Sequence, residues 1–314
     1  MKNKKILVLE GGFNEEHKIS LSTGNEVKKS LSNLNIQFDS LYVNPVEFSK
    51  DIVKYGTEYI CFNALHGTFG EDGQIQNILD KLFFKYTHST SKSSFIGFNK
   101  QLTKIQLKGT NIATPDYIVI DFKKIDEDIL LNCFLKFGKF IIKPISSGSS
   151  FGIKIFKNKK DIEYFMNDFK TNLDFYRMHN QLMIEKYIEG RELTVAVIEK
   201  NKQSVPVEVT EIIPNNNFFD YESKYTPGIS TKILPAKIPE DIYNNCKNFA
   251  KIVHDKINCK GISRSDFIYH ADKLYFLEIN TQPGLTPISL VPQQLKHHNM
   301  FFDELILNII NCSL

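Results

Sequence analysis

The stretch RSDFIYHADKLYFLEINTQPGLTPISL, residues 264–290, decides how this chain is read. Two apolar runs, residues 267–269 and 274–277, flank the polar His270, Ala271, Asp272 and Lys273, which is the signature of a β-hairpin. Side chains two apart in a strand share a face, so Glu278 and Asn280 point one way, as do Arg264 and Asp266 on the partner strand. A turn with an odd number of residues sets Asp266 opposite Glu278 and gathers the four polar side chains into one patch, backed by Phe267, Tyr275, Leu277 and Ile279. An even turn sends Glu278 to the other face.

Two carboxylates and an amide oxygen on one sheet face are hard ligands suited to Mg²⁺, which takes its remaining ligands from water and substrate phosphates. That chemistry points to a nucleotide. Taken alone, the spacing also describes an exposed hairpin whose acids pair with Arg264. The turn that follows, residues 281–286 with Pro283 and Gly284, leads to Pro287, Ile288, Ser289 and Leu290, and its free N–H groups suit an anion.

At 314 residues the chain has room for two or three domains. A net charge of +3, from 39 basic and 36 acidic residues without a Lys/Arg block, implies neither nucleic acid nor an anionic membrane as partner. The five cysteines, Cys61, Cys133, Cys246, Cys259 and Cys312, are widely spaced and form no C-x-x-C, which reads as buried thiols in a reducing cytoplasm. The start runs directly into a short apolar segment, residues 6–9, with no signal-peptide pattern. No run approaches the length of a membrane span. Residues 301–310 are amphipathic and read as a terminal helix packed on the body.

The first ~95 residues alternate strand and helix, over 5–10, 21–34, 36–43, 59–64 and 74–84, the rhythm of a mostly parallel α/β layer. Ligands in such sheets lie beyond the carboxyl ends of strands, where two polar clusters fall. The first holds Gly11, Gly12, Asn14, Glu15, Glu16, His17 and Ser20; the second holds His66, Gly67, Thr68, Gly70, Glu71, Asp72 and Gly73. The missing third glycine, and Glu10 beside the turn, disfavour a dinucleotide site and with it an NAD-linked oxidoreductase. Glu16 is a candidate for an ammonium group or, alternatively, a helix-dipole cap, and His66 for a ligand contact or a structural hydrogen bond.

Beyond Asn99 a helix with Lys100 and Lys104 precedes a strand at 117–120 and a helix at 126–137. The strand 140–143, the loop Pro144, Ile145, Ser146, Ser147, Gly148, Ser149, Ser150 and the strand 151–156 form a Gly/Ser flap suited to phosphate oxygens, or a plain flexible hairpin. A strand at 181–184, then Glu185, Lys186, Tyr187, Ile188, Glu189, Gly190, Arg191, Glu192 and a strand at 193–198 suit an adenine edge and a ribose, or a domain crossover. The polar segment 215–229, with Tyr221, Lys224 and Tyr225, has the length of a lid. A helix over 240–257 returns to the hairpin.

These stretches, in order and at family spacing, resemble the D-alanine-D-alanine ligase family of the ATP-grasp superfamily along nearly the whole chain. The resemblance implies an α/β (α+β) fold with three-domain ATP-grasp architecture and an N-terminal Rossmann-like parallel sheet. Its domains would be 1–95 for substrate binding, 96–185 for the central ATP-grasp unit and 186–314 for the C-terminal catalytic unit. It implies ATP and two Mg²⁺ or Mn²⁺ ions, with Asp266, Glu278 and Asn280 as metal ligands and Glu278 bridging. Lys100, Lys143, Ser149 and Lys224 would meet the phosphates; Glu185, Lys186, Tyr187 and Glu192 would meet adenine and ribose. Glu16 and His66 would meet the first D-alanine, Arg264 and the Gly284 backbone the developing oxyanion, and Ser289 and Leu290 the second carboxylate. Ser149 and Tyr225 would join Glu16 in closing the lid. The implied activity is ATP-dependent joining of two D-alanines for peptidoglycan precursors, by a cytoplasmic homodimer with no nucleic-acid or membrane partner. Two residues depart from the pattern: His17 stands where an arginine is common, and Ile288 where one subgroup has histidine. Rival readings are a relative with a D-serine or D-lactate acceptor and a nucleotide-binding regulatory protein.

Overall fold

The computed structural model describes residues 5–148, 152–171, 180–214 and 230–314. Its strands form three sheets, each built from strands consecutive in the chain. The first contains β1 (Lys5–Gly11), β2 (Phe38–Val43), β3 (Tyr59–Asn63) and β4 (Lys85–Tyr86), all parallel, in the order β2-β1-β3-β4. The apolar run Ile6, Leu7, Val8, Leu9 is fully buried, as a central parallel strand covered on both faces must be. The helix His17–Asn33 begins a turn earlier than its apolar pattern suggests, because the polar residues ahead of Leu21 continue it.

The second sheet contains β5 (Tyr117–Asp121), β6 (Phe140–Pro144), β7 (Lys154–Phe156) and β8 (Gln181–Lys186), antiparallel in the order β5-β8-β6-β7. The helices Glu127–Phe137 and Lys159–Thr171 pack on it around Phe140 and Phe156, whose rings stack with centroids 4.4 Å apart. Asp126 starts the former by accepting a hydrogen bond from Ile129 N.

The third sheet contains β9 (Arg191–Lys200), β10 (Gln203–Pro214), β11 (Ser230–Ile233), β12 (Ile262–His270) and β13 (Lys273–Asn280), antiparallel in the order β11-β10-β9-β12-β13. The helix Glu240–Ile257 covers its back with Ile242, Cys246, Phe249, Ala250, Val253 and Ile257, spaced at i+3 and i+4. The sequence pattern conceals β10: Pro206 breaks its alternation, and the ladder tolerates it at an irregularity between Pro206 and Val209. The first and third sheets share one core, in which Ile6, Val8 and Phe62 meet Ala196, Ile198 and the helices Leu290–His297 and Phe302–Cys312. The terminal helix buries Leu305, Ile306, Ile309 and Ile310 there. None of the five cysteines is in a disulfide. No helix among the described residues is long and apolar enough to cross a membrane.

The decisive hairpin departs from expectation in an instructive way. Its turn is Ala271-Asp272, both left-handed at φ 45° and 57°, hence the two-residue type that fits strand twist. That even turn alone would pair Glu278 with Ser265 and turn it to the core. The ladder instead carries a bulge: Phe267 pairs with Phe276, yet Asp266 pairs with Glu278, leaving Leu277 as an extra residue. One inserted residue restores the phase, so Arg264, Asp266, Glu278 and Asn280 share a face after all. Their backing is also corrected, since Leu274 and Phe276 join Phe267 and Ile279 in the core, while Tyr275 and Leu277 do not.

Candidate active site

Arg264 holds Asp266 through two hydrogen bonds, Nε to Oδ1 at 2.9 Å and Nη2 to Oδ2 at 2.8 Å, and Thr194 donates to Oδ1 at 2.6 Å. Pairing of the acid with Arg264 and convergence on a site are therefore both true of this hairpin. Across the ladder, Glu278 lies 3.2 Å from the Lys100 ammonium. Lys100 is delivered by Asn99, which caps the helix Lys100–Gln106 by accepting from Leu102 N, and Lys100 Nζ also donates to the Ser147 carbonyl at 2.9 Å. Asn280 Oδ1 accepts from Gln282 N at 2.7 Å, tying the patch to the turn after it.

A cleft of about 900 Å³ opens between the second and third sheets, lined by Lys100, Lys143, Glu185, Lys186, Tyr187 and Glu192 with Asp266 and Glu278 at one end. Ile141, Ile188, Leu193, Ile268 and Leu277 supply apolar wall. The bulge explains Leu277: two consecutive side chains, Leu277 and Glu278, both face the cleft. Glu185 is completely buried between two ammonium groups, Lys104 at 2.5 Å and Lys143 at 2.5 Å. Burial alone would raise its carboxyl pKa, but the charges and hydrogen bonds of Lys104 and Lys143 outweigh that and hold it below the usual range. Its carboxylate is thus committed to lysines. Lys104 sits over the Tyr117 ring, 5.4 Å from the centroid.

A second cavity, about 920 Å³, lies where the first sheet meets the third, lined by Glu16, His66, Glu71, Lys100, Gly148, Lys232, Arg264, Glu278, Asn280, Gly284, Ser289 and Leu290 among others. Glu16 precedes the helix His17–Asn33 but makes no side-chain capping bond. Its carboxylate lies against Gly67 and Gly148 so closely that a Cβ at either would come within 2.6 Å and 2.5 Å of Oε2. His66 is engaged at both ring nitrogens, by Thr23 Oγ1 at 2.8 Å and Glu71 Oε1 at 3.1 Å. Burial raises the Glu71 carboxyl pKa against the pull of His66. Ser289 Oγ receives Thr286 N at 3.1 Å, which folds the turn so that the helix Leu290–His297 starts at the cavity. Asn63 and Gln282 share a hydrogen bond of 2.9 Å that pins this turn to the first sheet.

Every proposed site residue within the described part of the chain lines one of the two spaces, and Lys100 and Glu278 line both. Ser149, Lys224, Tyr225 and the whole 215–229 segment lie outside the described residues. Four residues escaped the reading of the sequence. Glu71 sat unassigned in a polar cluster, Lys104 follows Lys100 by one helical turn, Leu277 was placed on the wrong face, and Lys232 had no motif around it.

The donor set suits a divalent cation. Asp266, Glu278 and Asn280 offer oxygen only, and no group of three His, Cys, Asp or Glu that could hold a metal occurs among the described residues. Such a set would supply part of a Mg²⁺ shell and leave the rest to phosphate and water.

A parallel sheet joined to two antiparallel sheets that close on a cleft lined by Lys100, Lys143 and Glu185 defines the ATP-grasp class. The family model described as D-ala D-ala ligase C-terminus matches residues 107–311. The sequence is 36% identical over 313 residues to a D-alanine-D-alanine ligase of Rhizorhabdus wittichii, covering 98% of this chain and 95% of that one. It is 39% identical to that of Wolbachia pipientis wMel, covering 98% and 94%. Among solved structures, D-alanyl-alanine synthetase A of Vibrio cholerae superposes with a TM-score of 0.84 at 23% identity, covering 100% of this chain and 99% of that one. A D-alanine-D-alanine ligase of Bacillus anthracis superposes with a TM-score of 0.82 at 26% identity, covering 99% and 97%. The chain belongs to the D-alanine-D-alanine ligase family.

Proposed function

We propose that this protein joins two D-alanine molecules into D-alanyl-D-alanine, splitting ATP to ADP and phosphate, for peptidoglycan precursor synthesis. The observation that carries the reading is the meeting of two spaces at Lys100 and Glu278: a cleft with apolar walls and lysines on one side and a polar cavity on the other. A carboxylate is a poor electrophile, so the donor must be activated where the spaces join. Its ammonium binds Glu16, with His66 alongside, and its carboxylate oxygen attacks the γ-phosphorus while the bond to the β-phosphate oxygen breaks.

Lys100 and Lys143 neutralise charge on the phosphate oxygens, and Tyr187, Lys186 and Glu192 hold adenine and ribose, the protein acting by position and electrostatics. Two Mg²⁺ or Mn²⁺ ions held by Asp266, Glu278 and Asn280 would supply further charge neutralisation on the triphosphate. The acceptor's carboxylate is held at Ser289 and Leu290. Its neutral amine attacks the acyl carbon, the carbon–oxygen bond to phosphate breaks, and phosphate departs while the amine loses its proton. Arg264 and the Gly284 N–H stabilise the tetrahedral oxyanion, each by roughly 3 kcal/mol. Ser149, Lys224 and Tyr225 belong to the closing of the site over the acyl phosphate, which water would otherwise consume.

The proposal places the enzyme in the cytoplasm as a homodimer of three-domain chains, divided at 95/96 and 185/186. Purified protein with ATP, Mg²⁺ and D-alanine is expected to yield dipeptide and phosphate in equal amounts. Phosphate without dipeptide, or neither, overturns the reading. D-Serine and D-lactate in competition, resolved by product mass, test the acceptor.

A further inference from the structure

Lys232 stands out among the cations of the two spaces. By register it lies opposite Ile212, which lies opposite Glu192, which lies opposite Ile268, one row running across the third sheet. Glu192, Ile212 and Ile268 line the nucleotide cleft, so the row faces the site, and at its far end Lys232 lines the amino-acid cavity.

Four other cations here already have anions, and Lys186, on the cleft, is exposed. Lys100 is beside Glu278, Lys104 and Lys143 share Glu185, and Arg264 holds Asp266. Lys232 donates to the Ile288 carbonyl at 2.7 Å, and no carboxylate of the described residues pairs with it. Burial first, and then the Arg264 charge, lower its pKa from the ordinary lysine value. A half-buried ammonium held against both effects gains most from an incoming anion. Its anchor settles which anion. Ile288 immediately precedes Ser289 and Leu290, whereas the donor's ammonium site is at Glu16.

We propose that Lys232 is the counter-ion of the acceptor's carboxylate and makes the second subsite select an acceptor with a free carboxylate. The inference rests on the ligase reading and deepens it. Acceptors that carry the amine but no carboxylate charge, such as D-alaninamide, are rejected because they leave this ammonium unmatched in the closed site. Hydrogen bonds to a charged group carry enough free energy for a discrimination of about tenfold or more.

The test uses D-alanine as donor and compares D-alanine with D-alaninamide as acceptor, products being resolved by mass. In K232M the ratio of kcat/KM for the two acceptors is expected to shrink by about tenfold or more, chiefly through KM for the second D-alanine, with KM for ATP unchanged. K232Q, which keeps a donor for the Ile288 carbonyl but loses the charge, is expected to lose the same selectivity, and K232R to keep it. A lysine that merely ties β11 to the turn would instead be rescued by glutamine, and an unchanged ratio in K232Q overturns the inference even if K232M melts early. Wild-type protein that forms no dipeptide overturns the ligase reading and this inference with it. Wild-type dipeptide together with an unchanged ratio overturns this inference alone.

Discussion

The nucleotide cleft and the amino-acid cavity are similar in size but differ in how their charges are kept. In the cleft, Lys104 and Lys143 are stored on one fully buried carboxylate, Glu185, with Lys143 and Glu185 on neighbouring strands of the second sheet and Lys104 on the helix Lys100–Gln106. In the cavity, Glu16, His66, Lys232 and Arg264 come from distant parts of the chain and surround the space. The cleft is therefore assembled by local pairing, and the cavity by the docking of the first sheet on the third. Glu278 is the carboxylate common to both.

That distinction orders the expected effects. Glu278→Gln removes the shared charge and should lower kcat by three to four orders of magnitude, roughly, with the melting temperature preserved. Turnover near the wild-type rate would dissolve the join between the two spaces. Lys104→Met strikes the cleft alone. It strips Glu185 of one cation in a buried setting, so a loss of about 3 kcal/mol in urea unfolding is expected, along with a higher KM for ATP as Glu185 tightens on Lys143. An equal rise in KM for D-alanine would erase the distinction.

Acid should act through buried histidines. Burial, then repulsion from His66, lower the His88 pKa from 6.5 to about 3. The unfolded chain binds a proton there that the folded chain refuses, so stability falls as pH drops below about 6.5, by about 2 kcal/mol at pH 5. Glu185 has the opposite sign of group: its pKa is lowered from 4.5, so its contribution is intact above that value and is lost only as pH falls through the folded value. Burial likewise lowers the His254 pKa from 6.5 to about 4, so urea titrations between pH 7 and 5 are expected to show a slope from both histidines, and His88→Gln to remove about half of it. A slope undiminished in His88→Gln would assign it elsewhere. The smallest effect is expected of Gly148→Ala, whose Cβ would fall 2.5 Å from Glu16 Oε2. Displacing that carboxylate should raise KM for the first D-alanine about tenfold and spare KM for ATP.

The fold was legible where the period of the side chains was clean. Residues 5–10 read as a strand of a mostly parallel layer, and residues 240–257 as a helix. β10 was not legible, because Pro206 disrupts the alternation and only the bulge beside it shows why the ladder survives. The polar face of the hairpin was found by counting residues in steps of two, but the count assumed an unbroken strand, and the structure reaches the same face by an even turn plus one extra residue. Lys104 was within reach of sequence, one helical turn after Lys100. Lys232 was not, since its meaning comes from Ile288 and from the absence, among the described residues, of an anion beside it, neither of which is local in the chain.

The supernumerary Leu277 makes the length of this strand as informative as its composition. Excising Leu277 lets the ladder close with Glu278 still opposite Asp266, and costs the cleft one apolar side chain. Excising Ile279, two places later, brings Asn280 opposite Ser265 and turns its amide into the core. The first deletion is expected to weaken nucleotide affinity while leaving measurable ligation, and the second to abolish ligation. Two shortenings of equal size, so close together, thus report separately on the seat of the base and on the seat of the phosphates.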